Sequence, residues 1–279
     1  MLYFRDNTVY FTRKFNRSIG KKIRRQLEYF ISKNGFIKIS FDSKFDKPVD
    51  NIPNGVIEII FDGNFNRELG KNGKSDLPDC LESLSIFSKE FNKPLDNLPV
   101  NLKKLCLRLS NYPLLDNLPD GLEDICLGDN FKHNLDNLPK NLKRLSVGLG
   151  FNKSVDNLPN GLNYLMMGRS FNQPIDFLPI SLKELYLGGN FNQSVDNLPH
   201  NIKILILDGI FDGSINNLPD SVELLVIGPN LKNQIEKLPR NLKKMIMFNF
   251  YFTIFGNSEE KFNMIRDEIG FDLTVNKIF

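Results

Sequence analysis

Three cysteines, two histidines and an evenly spaced row of aspartates are the residues of this 279-residue chain with chemistry to offer. A zinc centre or a thiol nucleophile needs such groups brought to one place, as clustered Cys and His ligands or as a Cys–His pair. Cys80, Cys106 and Cys126 show no metal-type spacing, and His133 and His200 belong to different segments. The aspartates Asp96, Asp116, Asp136, Asp156, Asp176 and Asp196 stand twenty residues apart. Stacked about 5 Å apart, they could attract a divalent cation. An aspartate ahead of a turn also accepts backbone N–H bonds, and that capping use is the expectation here. Cys106 and Cys126 should lie side by side as two reduced thiols. No Gly-rich phosphate loop occurs. The expectation is a non-enzyme without catalytic residues, metal or cofactor.

What positions these groups is a repeat. Pro99, Pro119, Pro139, Pro159, Pro179, Pro199, Pro219 and Pro239 fall at a fixed period of twenty residues. Such a period marks a stack of one structural unit. In the segment from Leu182 to Pro199, apolar residues occupy slots 1, 4, 6, 10, 14 and 17, counted from Leu182. Slots 4 and 6 alternate with polar neighbours, as in a short strand. Proline at slot 18 lacks an N–H and suits a turn. Glycine at slot 7, as in Gly128, Gly148, Gly168, Gly188 and Gly228, marks the strand's end. Burying six apolar side chains returns about 9–18 kcal/mol. Ordering twenty residues costs at least about 20–40 kcal/mol. One coil therefore cannot stand alone and must stack on its neighbours.

The fold class expected is a repeat solenoid, a right-handed leucine-rich-repeat-like coil of short parallel β-strands with little helix on its convex side. Coils open at Phe36, Val56, Leu81, Leu102, Leu122, Leu142, Leu162, Leu182, Ile202, Val222 and Leu242. Val9, Phe11, Phe15, Asn16 and Ile19 fit a partial coil before them. Three regions result. Residues 1–35 hold the partial coil and a capping helix over Gly20–Asn34, residues 36–248 the solenoid of about eleven coils, and residues 249–279 a C-terminal cap with a helix from Ser258. Residues 67–78 carry about five extra residues, read as a bulging loop. The slot-10 aromatic slips at Asn111-Tyr112.

The string Phe-Asn-x-x-φ-Asp-Asn-Leu-Pro-x-x-Leu-Lys-x-Leu-x-Leu-Gly resembles the FNIP repeat, a relative of leucine-rich repeats known from social amoebae and amoebal giant viruses. Phe91-Asn92 with Asp96-Asn97-Leu98-Pro99, Phe151-Asn152 with Asp156-Asn157-Leu158-Pro159, and Phe191-Asn192 with Asp196-Asn197-Leu198-Pro199 carry it most faithfully. The resemblance covers roughly residues 36–248 and implies protein–protein interaction without a defined ligand. Some viral relatives join these repeats to an F-box, for which the first 35 residues offer only a single helix. The spacing also resembles short leucine-rich repeats of bacterial effectors, some with a cysteine-dependent ubiquitin ligase domain. No stretch of this chain supplies one.

Slots 3 and 5 of such a strand face outward on the concave sheet. Tyr164, Met166, Tyr186, Ile204, Ile206, Leu224, Val226 and Ile246 then form neighbouring apolar rows, a partner-binding surface or, alternatively, shielded packing. The leading expectation is a non-catalytic interaction module, a host-protein or substrate-recruiting factor of unknown partner. The alternative is a self-assembling component of a particle or filament. The net charge of +3 announces no nucleic-acid partner. Lys21, Lys22, Arg24 and Arg25 read as a solvated helix face. No apolar run is long enough to cross a bilayer, and the N-terminal residues lack a secretory apolar stretch. With so few cysteines, an intracellular home is expected, in host cytoplasm or nucleus.

Overall fold

A computed structural model describes residues 2–113, 115–231 and 235–247. Strands β1 (Leu2–Arg5) and β2 (Thr8–Phe11) precede helix α1 (Lys21–Asn34). Then come β3 (Ile37–Phe41), β4 (Val56–Gly63), and the short pair β5 (Gly70–Lys71) and β6 (Lys74–Ser75). The regular coils contribute β7 (Ser83–Ser88), β8 (Lys104–Leu107), β9 (Asp124–Leu127), β10 (Arg144–Val147), β11 (Tyr164–Met167), β12 (Glu184–Leu187), β13 (Ile204–Leu207), β14 (Leu224–Ile227) and β15 (Lys244–Met247). Thirteen of these strands form one sheet in sequence order, with β5 and β6 left out of it. From β9 onward each strand pairs in parallel with the residue twenty positions earlier, so the sequence period becomes the strand register.

One hydrophobic column runs behind this sheet. Leu185, Leu205 and Leu225 at slot 4 are fully buried, as are the slot-1 residues Leu182, Ile202 and Val222. The slot-10 phenylalanines stack face to face from coil to coil: Phe151 on Phe171 at 6.2 Å, Phe171 on Phe191 at 6.1 Å and Phe191 on Phe211 at 6.2 Å between centroids. Turns close each coil, with Leu182 N–H donating to the Pro179 carbonyl at 3.0 Å. The slot-7 glycines have a steric cause. A Cβ on Gly168 would lie 2.4 Å from the Gly148 backbone, and one on Gly188 would lie 2.7 Å from that of Gly168.

Side-chain ladders hold the turns. The Asn172 N–H donates to Asn152 Oδ1 and the Asn192 N–H to Asn172 Oδ1, both at 2.9 Å, an asparagine ladder bonded to the backbone. The aspartate ladder differs in its partner. Asp176 Oδ1 accepts from Asn197 Nδ2 at 2.9 Å and Asp196 Oδ1 from Asn217 Nδ2 at 3.1 Å. The carboxylate thus binds the amide of the next coil, because that side chain sits one slot further on and one layer across.

Four details depart from the sequence reading. The helix appears where expected, ending at Gly35 with φ of 77°, but it lies within the crossover from β2 to β3. The sheet's N-terminal edge is instead strand β1, antiparallel to β2. Helix and hairpin meet through Phe30 stacked on Phe4, 4.5 Å between centroids. The extra residues form a β-hairpin, not a loop, because Asn72 and Gly73 both take positive φ, the geometry of a tight primed turn. The first full coil opens one residue late: Ile37 is buried and Phe36 exposed, at a register shift between Ile37 and Lys38. The expected C-terminal cap and its helix from Ser258 lie outside the described residues.

Candidate functional site: the outward face of the sheet

Behind each strand the slots repeat; in front of it they do not. At the outward slots, register pairing carries Tyr164 to Glu184, Ile204, Leu224 and Lys244, and Met166 to Tyr186, Ile206, Val226 and Ile246. The structure therefore brings all eight sequence-selected residues onto β11–β15 as two adjacent rows. They form a cluster of their own, separate from the main core.

Of the two readings of these rows, open patch and shielded packing, their burial has the character of the second. Tyr164, Met166, Tyr186, Ile206, Leu224 and Val226 are buried, and only Ile204 and Ile246 are partly so. Large side chains on strands about 4.8 Å apart are closer than their own widths, so each covers the next. Tyr164 and Tyr186 rings lie 5.1 Å apart, and the Arg144 guanidinium sits 3.8 Å over the Tyr164 ring. The Tyr186 hydroxyl donates to Glu184 Oε2 at 3.2 Å. Burial pushes both phenols above their ordinary range.

The other half of this face is polar. Lys38 pairs with Glu58 at 2.8 Å and Lys104 with Asp124 at 3.5 Å, each across one strand spacing. Cys106 and Cys126 are register partners two residues along from Lys104 and Asp124, as expected of neighbouring thiols. Cys80 lies elsewhere, with its sulfur accepting the Gly55 N–H at 3.0 Å. His133 Nε2 meets the Tyr112 carbonyl oxygen at 3.1 Å in a surface turn. Among the described residues, no three His, Cys, Asp or Glu side chains gather where a metal could bind.

Two features escaped the sequence reading. Phe177 and Ile180 project from one coil, 72% and 68% exposed, where other coils, Val100 apart, place polar residues. The signal was present, since Phe177 replaces the ladder asparagine found at Asn157 and Asn197. The second is Arg108. It fills a glycine slot, with its guanidinium 5.2 Å over the Phe87 ring and its Nη2 buried without a hydrogen-bond partner.

A sequential sheet of in-register parallel strands, each returning through a turn-rich arm over one column, defines a leucine-rich-repeat-like solenoid. Within it, residues 151–190 and 171–209 match the FNIP Repeat family. Among solved structures, the chain is similar to CroV588, a giant-virus protein described as a novel circular leucine-rich-repeat structure, with a TM-score of 0.67 and 28% identity. That match covers 89% of this chain and 41% of CroV588, so the chain spans about two fifths of that protein's length. No curated protein matches the chain. Among the described residues, no helix is long and apolar enough to cross a membrane.

Proposed function

We propose that the chain is a non-catalytic protein-interaction module that binds a partner protein through the concave, outward face of its sheet. The supporting observation is the contrast between the two faces of β8–β15. Core slots repeat coil after coil, whereas the outward slots read Lys104, Asp124, Arg144, Tyr164, Glu184, Ile204, Leu224 and Lys244 along one row. A surface that the fold leaves free to vary is one that can be shaped to a partner. The binding surface centres on Tyr164, Met166, Tyr186, Ile204, Ile206, Leu224, Val226 and Ile246, with Ile204 and Ile246 as its most accessible apolar groups and the Lys104–Asp124 half as its polar rim. The repeat type supports an interaction scaffold. A host protein, or a substrate handed on for modification, is the kind of partner this reading names.

The test is proximity labelling in the native host with the wild-type chain and with Ile204→Lys plus Ile246→Lys. Loss of the same labelled partners at an unchanged melting temperature is the expected result. An unchanged labelling pattern would contradict the reading.

A second reading, self-association of arcs into a larger closed assembly, is favoured by the likeness to a circular protein of which this chain covers 41%. Light scattering on the purified chain separates the two: a monomer excludes assembly, and a discrete oligomer supports it.

A further inference from the structure

Cys106 on β8 and Cys126 on β9 are Cα partners of parallel strands and share the outward face. Strands in such a sheet lie about 4.8 Å apart, inside the Cα separation of about 4.4–6.8 Å that a disulfide takes. Cys106 is half-buried and Cys126 buried, so a small oxidant from solvent reaches Cys106 first. Two residues along the same face stands Arg108, whose buried Nη2 lacks an acceptor. An anionic sulfur at Cys106 would give that guanidinium a counter-charge. A hydrogen bond with Cys126, reinforced by Arg108 and Lys104, holds the Cys106 thiol below its usual range. The same pairing, together with burial, pushes the Cys126 thiol up. Cys106, the more accessible of the two, is therefore the sulfur that meets the oxidant, and Cys126 beside it is the resolving cysteine.

We infer that Cys106 and Cys126 form a peroxide-oxidised dithiol, a reversible modification site that links the coil opened by Leu102 to the coil opened by Leu122. The Cys106 thiolate attacks hydrogen peroxide; an S–O bond forms, the O–O bond breaks, and hydroxide leaves to take a proton from solvent. Cys126 sulfur then attacks the Cys106 sulfenic acid. The S–S bond forms, the S–O bond breaks, and the hydroxyl departs as water with the Cys126 proton. Two thiols are oxidised while one peroxide is reduced to two waters. The site lies where the ring stack is interrupted: slot 10 holds Asn111, and the Tyr112 ring meets Phe131 edge-on, at 83° between planes. The link would bridge a layer in which the ring stack is broken.

The reduced full-length chain, treated with hydrogen peroxide, alkylated and mapped by mass spectrometry, tests this. Expected are an intramolecular Cys106–Cys126 peptide that a dithiol reductant reverses, a Cys80 that remains alkylatable, and a trappable sulfenic acid on Cys106 in Cys126→Ser. Arg108→Gln should slow formation of the link about threefold or more, with Arg108→Lys near wild type. Oxidation at Cys80 without the link, or sulfinic acid on both cysteines, would overturn the inference. So would Arg108→Gln reacting as fast as the wild type.

Discussion

Phe171 and Phe191, twenty residues apart, lie face to face with ring centroids 6.1 Å apart and planes 3° from parallel. Each ring of this spine serves as floor for one coil and ceiling for the next. Phe171→Ala empties a fully buried site between two other rings, at an expected cost of about 3–5 kcal/mol. Phe171→Leu should cost clearly less. Urea unfolding midpoints measure both, and equal losses would show that ring stacking is not what the slot selects.

Phe177 interrupts the ladder in which each asparagine donates to the aspartate one coil earlier. Around Asp196, Ser194 Oγ donates to one carboxylate oxygen at 2.9 Å and Asn217 Nδ2 to the other at 3.1 Å. Around Asp156, Ser154 Oγ donates at 2.8 Å and the amide is missing because Phe177 occupies its place. Phe177→Asn restores the pattern and should stabilise the chain by about 0.5–1.5 kcal/mol, read from thermal melting. A lower melting temperature would mean that the exposed ring makes a contact the ladder does not replace.

Gly168 permits close approach of two coils without needing a left-handed backbone. Gly168→Ala would set a Cβ 2.4 Å from the Gly148 backbone, and the coils must part to accept it. Overpacking of this kind costs about 1–3 kcal/mol. Gly73→Ala is a contrasting case, since nothing lies near its Cβ and only its φ of 77° resists the change. Denaturation of the two variants separates steric crowding from backbone strain.

Glu223 stands between two lysines of flanking coils, 2.6 Å from Lys203 Nζ and 2.5 Å from Lys243 Nζ. Hydrogen bonds from Lys203 and then Lys243 lower its carboxyl from 4.5 to about 2. A carboxylate depressed in the folded state contributes stability that is present above its ordinary pKa and lost as pH falls toward the folded value. Stability should therefore decline between pH 4.5 and about 2 in the wild type, with part of that decline absent in Glu223→Gln. The pair is solvent-exposed, so added salt should shrink the difference. An identical acid profile in both proteins would refute the assignment.

Much of this fold was written in its periodicity. Proline and leucine spacing fixes the strand register, because a twenty-residue coil returns each slot above itself. The helix was legible from Ile23 and Leu27 on one face and from Gly35 at its end, although its place in a crossover was not, since that depends on which strands flank it. The hairpin at Asn72-Gly73 had a readable signal in that dipeptide, obscured by the surrounding lysines and glycines. The position of Tyr164 and Val226 on the outward face followed from alternation along the strand. Their burial did not, because it arises from side chains twenty residues apart covering one another. Arg108 and its unmatched guanidinium nitrogen needed coordinates.

Neighbouring residues Ile204 and Leu205 on β13 test the account most directly, because it gives them opposite duties. Leu205 is fully buried in the column and Ile204 is only partly buried on the outward face beside Glu184. Leu205→Lys should cost at least about 4 kcal/mol by placing an unpaired charge in the core, whereas Ile204→Lys should cost about 1 kcal/mol or less and act on partner capture instead. Comparable urea midpoints for the two variants, or a greater loss from Ile204→Lys, would contradict a sheet with one structural and one recognition face.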